Sequence, residues 1–126
     1  MNPTAKLFLT LGSISGALAV IIGAFGAHAL KDKLCDQMLA VYKTGVEYHF
    51  YHTLALLGIG LFALHCKSAL LTASGWSMAA GIVLFSGSLY ALSISGVKIL
   101  GAITPIGGLF FIAGWVLLTA AILKQN

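Results

Sequence analysis

Six side chains in this sequence are of types that could do chemistry together: His28, Glu47, Tyr48, His52, Tyr90 and Thr104. Histidine changes charge near neutral pH and is the commonest metal ligand. A carboxylate among apolar residues is costly enough to raise the question of function by default, and Glu47 is the one acid inside an apolar run. Spacing also offers each residue a plain structural task. Lys43 precedes Glu47 by one helical turn, which suits a surface ion pair, and Tyr48 precedes His52 by the same interval, which suits a hydrogen bond along one face. His28 reads as a polar cap at the end of its segment. The sequence carries no HExxH spacing, no paired CxxC cysteines and no phosphate-binding glycine loop. No catalytic residue and no metal site are therefore assigned. His28 and His52 are the only pair weighed as ligands of a metal or haem, because facing helices can supply two axial histidines, and the cofactor is left unknown.

The segments that must position these side chains are apolar. The chain has 126 residues, is 60% hydrophobic and 8% charged, against about 25% charged residues in soluble domains. Its seven lysines, two aspartates and one glutamate fall almost entirely between four long runs, 7–30, 44–65, 69–97 and 99–123. About 20 apolar residues in helical conformation match the hydrocarbon thickness of a bilayer. The expected fold is an all-α, single-domain (1–126) integral membrane bundle of four transmembrane helices. The run 7–30 exceeds the apolar core of a secretory signal, about 7–15 residues, and reads as a retained first span. Within 31–43, Leu34, Met38, Val41 and Tyr42 recur at helical spacing. That pattern predicts a short amphipathic interfacial helix between spans one and two, with Gly45 at the bend.

Small residues mark where the helices should meet, because helices in lipid associate through close packing rather than hydrophobic drive. Gly12, Gly16 and Gly23 share a stripe of the first span, and Gly101, Pro105 and Gly108 align in the fourth, where Pro105 should kink the helix or make it start irregularly. Trp76 and Trp115 read as interfacial anchors. Four spans bring the end of the first, the start of the second, the end of the third and the start of the fourth to one membrane face. The six polar residues above all lie toward that end. Lysines 31, 33, 43 and 98 outnumber lysines 6, 67 and 124, so the positive-inside rule leans toward termini outside. Cys35 and Cys66 fall in connections on opposite faces, which excludes a disulfide between them. The net charge of +4 is dispersed and lacks arginine, unlike the clustered basic face of a nucleic-acid binder.

Gly23-Ala24-Phe25-Gly26-Ala27-His28-Ala29-Leu30 resembles the signature of domain-of-unknown-function family 423, to which the eukaryotic transmembrane protein 256 is related. Thr44-Gly45-Val46-Glu47-Tyr48 with His52, Phe85-Ser86-Gly87-Ser88-Leu89-Tyr90, Thr104-Pro105-Ile106-Gly107-Gly108 and Gly114-Trp115 extend the resemblance over nearly the whole chain. It implies a four-helix protein of the bacterial inner membrane and supplies no activity. The family often has glutamine where this chain has His49, which sets His49 below His28 and His52 as a ligand. The leading functional reading is a non-enzymatic membrane protein acting through a membrane-protein partner, a second copy, lipids or larger complexes. A small transporter or channel with a polar vestibule at the His28/Glu47/His52 end is the alternative, and a haem- or metal-binding redox protein the third.

Overall fold

Asn2 and Pro3 set the start of the first helix. Pro3 occupies the first helical position, where its missing N–H costs nothing, and the Asn2 side-chain oxygen accepts from the Ala5 amide at 2.9 Å. In the computed structural model, which describes all 126 residues, α1 runs Pro3–Phe25 and continues through a π-helical turn, Gly26–Leu30. Helix α2 spans Asp36–Ala63, and α3 spans Ala69–Gly81 behind a Ser68 cap. A second π-helical turn, Ile82–Ser86, joins α3 directly to α4, Gly87–Ser95. Gly96, at φ +73°, takes the left-handed conformation that ends α4. A 3-10 turn, Lys98–Ala102, then leads into α5, Thr104–Leu123. The irregular start expected at Pro105 is this 3-10 entry, with Pro105 seated in the first turn of α5.

The helices form two antiparallel hairpins. In the first, Leu9 faces Gly60, Gly12 faces Leu57, Gly16 faces Thr53, Gly23 faces Val46 and Gly26 faces Tyr42. Asn2 Nδ2 also donates to the Ala63 carbonyl at 2.7 Å, tying the start of α1 to the end of α2. In the second hairpin, Met78 faces Gly114, Gly81 faces Phe111, Phe85 faces Gly107 and Ser88 faces Thr104. Helix α2 packs on both α1 and the α3–α4 rod. The apolar core lies around Phe8, Leu56, Ile59, Leu71 and Met78, all at most 1% exposed.

The separate interfacial helix expected over 31–43 needs correction. Residues 36–43 are not a separate interfacial helix: they are the first turns of the continuous α2. Helix α2 continues unbroken through Gly45, whose missing side chain is filled by the Tyr90 ring and Leu89 and whose carbonyl accepts from Ser86 Oγ at 2.7 Å. Three helices are long and apolar enough by composition to cross a membrane: Pro3–Leu30, Ala69–Ser95 and Lys98–Leu123. The run 44–65 belongs to α2, whose early turns carry Asp36, Lys43 and Glu47.

Glycine packing is also tighter elsewhere than the stripes suggested. A Cβ on Gly12 would lie 2.7 Å from Leu57, whereas Gly101 and Gly108 have ordinary clearances of 3.6 and 3.8 Å. The close approach of α5 is at Gly107, where a Cβ would sit 2.3 Å from the Phe85 backbone nitrogen.

Candidate functional site

The polar interior is built by α2, which turns His49, His52 and Thr53 into the bundle. His49 is 4% exposed and bridges two other helices. Its Nδ1 lies 2.9 Å from the Tyr90 hydroxyl of α4, and its Nε2 lies 3.0 Å from Ser15 Oγ of α1. Ser15 Oγ in turn lies 2.6 Å from Thr53 Oγ1. Ser15 stands about 18 Å along the helix axis from Pro3 at 1.5 Å per residue, so this chain of four groups sits deep within a membrane-length helix. Both histidine partners are hydroxyls, which can donate or accept. The whole chain can therefore run in either direction: Tyr90 to His49 to Ser15 to Thr53, or the reverse.

His52, 5% exposed, is held differently. Its Nδ1 donates to the Tyr48 carbonyl at 2.7 Å, and its Nε2 accepts from Trp115 Nε1 at 3.1 Å. A carbonyl can only accept and an indole N–H can only donate, so the ring is fixed as the neutral Nδ1–H tautomer. Phe111 stacks on it with centroids 3.5 Å apart and planes 10° from parallel. With both ring nitrogens engaged, His52 has no lone pair left for a metal. Three or more His, Cys, Asp or Glu side chains do not gather anywhere in the chain. Removing either end of the His52–Trp115 bond should cost about 1 kcal/mol. Trp115→Phe and His52→Phe are expected to lower the unfolding midpoint in detergent, and the double variant should be less destabilised than the sum, the signature of one shared contact.

Of the six residues singled out above, only Tyr48 and His52 meet. His28, in the first π-helical turn, and Glu47 are exposed. Tyr48 contributes its backbone carbonyl to His52, while its ring, 38% exposed, stacks on Phe85. Tyr90 belongs to the His49 chain, and Thr104 Oγ1 pairs with Ser88 Oγ at 2.6 Å. His28, Glu47, His52 and Tyr90 thus share no cleft. Sequence reasoning set His49 aside as a ligand, read Trp115 only as an interfacial anchor and gave Ser15 and Thr53 no role; the Trp115 indole donates to His52 besides standing 45% exposed. Imidazole both donates and accepts, which a hub between hydroxyls requires and a ligand role does not.

Beside the His49 chain lies a groove of about 330 Å³ between α1 and the α3–α4 rod. Leu11, Leu56, Ile82 and the carbon faces of Ser15, His49 and Tyr90 line it, with Ile14, Leu18 and Val83 exposed along it. The second π-helical turn borders it, and Gly87, the next residue, lines it with open space where a Cβ would be. Single-turn π segments recur at functional sites.

Apolar, membrane-length helices closed around internally bonded polar side chains define an integral membrane helical protein. The chain matches the family model described as "Protein of unknown function (DUF423)" over residues 22–108 and belongs to that family. It is 50% identical over 120 residues to the UPF0382 membrane protein YwdK of Bacillus subtilis, covering 94% of this chain and 98% of the relative. A UPF0382 membrane protein of Staphylococcus epidermidis is 49% identical (94% and 97% covered), and SAB0533 of Staphylococcus aureus is 47% identical with the same coverage. No solved structure matches.

Proposed function

We propose that this protein is a non-enzymatic, four-span component of the bacterial inner membrane that acts through what it packs against: lipid, a membrane-protein partner or a second copy. The observation that carries this reading is the division of its surfaces. Every buried side-chain nitrogen and oxygen is hydrogen-bonded internally. The outward faces present apolar side chains, such as Val20 and Ile21 on α1 and Leu109, Ile112 and Val116 on α5. The fourth crossing is α2. It lies antiparallel against α1 from Gly60–Leu9 to Gly26–Tyr42, so a bilayer crossed by one is crossed by the other. Its polar side chains lower its hydropathy, yet His49, His52 and Thr53 face protein rather than lipid, where such groups are tolerated.

The two free cysteines test this directly. Cys35 is the cap residue of α2 and Cys66 lies just beyond its end. A crossing α2 puts them on opposite faces, and the lysine distribution puts Cys66 and both termini outside. A membrane-impermeant maleimide added to right-side-out vesicles should label Cys66 and spare Cys35, with the pattern exchanged in inverted vesicles. Labelling of both from one side would show that α2 does not cross. A pattern opposite to the stated one would reverse the orientation alone.

A further inference from the structure

We infer that the outward face of α2 is an interface with a second copy of this chain, the two α2 helices lying parallel about a two-fold axis normal to the membrane. From Glu47 to Leu61 the exposed residues of α2 are Glu47, Tyr48, Tyr51, Leu54, Gly58 and Leu61. Leaving out Tyr48, they are spaced four, three, four and three residues apart. That alternation is the 3.5-residue seam along which two helices supercoil. Its chemistry does not suit lipid. Glu47 follows Val46, which faces Gly23 of α1, so it lies about 12 Å along the helix axis from the level of Lys31 at 1.5 Å per residue. A carboxylate at that depth is costly unless it meets protein, water or an opposite charge. Lys43, one turn earlier, lines the same notch between α1 and α2 without an ion pair between the two. Ser13 of α1 and Thr119 of α5 also face outward, but each hydroxyl donates back to a carbonyl of its own helix, at 2.8 and 3.0 Å. An ionised carboxylate only accepts, so Glu47 has no such recourse and needs a donor from outside the chain.

The charge pattern selects the occupant. Two copies inserted in the same direction close into a pair only about an axis along the membrane normal, and such an interface uses one patch twice. Each residue of α2 then lies beside its own copy at the same depth. Lys43 of each chain meets Glu47 of the other, so a single patch supplies both halves of two identical ion pairs. Gly58 suits the approach: a Cβ there would meet nothing within 4 Å, which lets the second helix come close to the backbone, as small residues do in lipid. Beside it, a groove of about 470 Å³ between α2 and α5 gives room to the leucines of the second copy. An acyl chain would fill that groove but leave Glu47 without a donor. The inference deepens the reading above by choosing the second copy among its partners, and it rests on that reading for α2 as a crossing helix. Cysteine labelling reports the crossing in monomer and dimer alike, so the two fail separately.

Disulfide cross-linking in native membranes tests the pairing, on the full chain with Cys35 and Cys66 replaced by serine. Leu54→Cys places a thiol on the seam, and Val116→Cys places a comparably exposed one on α5. Oxidation by copper–phenanthroline should convert the first to a covalent dimer and leave the second monomeric. In mild detergent, energy transfer between labelled copies gives the affinity. Glu47→Lys should weaken dimerisation about tenfold, because it sets like charges against each other. Lys43→Glu should do the same. The double variant Lys43→Glu/Glu47→Lys should restore the parent affinity, which a merely damaged fold would not do. Gly58→Leu, at a position with open space in the protomer, should keep its helical content and lose the dimer. Equal cross-linking through Val116→Cys, or a double variant no better than the single ones, would overturn the pairing. So would a Leu54→Cys chain that stays monomeric or cross-links only to a different protein.

Discussion

Replacing Gly107 with alanine is expected to cost about 3 kcal/mol of stability, the upper part of the usual range for overpacking. The same change one residue later, at Gly108, should stay within about 0.5 kcal/mol. The contrast follows from what a methyl group would meet. At Gly107 it would lie 2.3 Å from the Phe85 nitrogen, 2.7 Å from its Cα and 2.8 Å from the Leu84 carbonyl carbon. All three are backbone atoms of the second π-helical turn, so no rotamer change can make room. Either α5 moves off the α3–α4 rod or the turn itself deforms. Separation would also stretch Ser88–Thr104 at 2.6 Å and the Ser74 bond to the Gly114 carbonyl at 2.7 Å, which lie on either side of the contact. At Gly108 the nearest atoms are the tip of the Phe85 ring at 3.8 and 3.9 Å, an ordinary contact. Urea or SDS titration of the two variants beside the parent protein checks the prediction. Equal midpoints for both would show that the hairpin relaxes freely at Gly107.

This pair also shows why the sequence was legible only to a certain depth. Apolar runs and sparse charge sufficed for an all-helical membrane chain, because a membrane constrains composition over whole segments. The small-residue stripes identified which helices pack closely. They could not separate Gly107 from Gly108, since the choice depends on helix phase and a π-helical turn shifts that phase by a fraction of a turn. The same limit governed the polar residues. Topology correctly brought Tyr90 to the same end as the start of α2, but neighbouring positions on a helix point about 100° apart. His28 and Glu47 consequently face outward while His49, set aside as a ligand, faces inward. Hydrophobic count also misread α2 at its beginning. Residues 36–43 look like a separate amphipathic helix only because their contacts, such as the Tyr42 hydroxyl donating to the Ile22 carbonyl of α1, are invisible in the chain.

His49→Leu is the other substitution expected to have a large effect, about 1–3 kcal/mol, with His49→Gln keeping most of the parent's stability. Leucine preserves apolar bulk but removes both a donor and an acceptor from a site 4% exposed. Ser15 and Thr53 can still bond to each other at 2.6 Å, which limits the loss. Tyr90 and the remaining capacity of Ser15 have no such substitute. An unpaired buried polar group costs about 1–3 kcal/mol in proteins generally. Measured interhelical bonds in membrane proteins average about 0.6 kcal/mol, because the unfolded chain in lipid also finds partners. The two figures bracket the expectation for a residue that joins α1, α2 and α4 at once. Thermal unfolding in detergent gives the order, parent and Gln above Leu. Should Leu match the parent while Gln is destabilised, the imidazole would be dispensable as a link between helices and its polarity a burden.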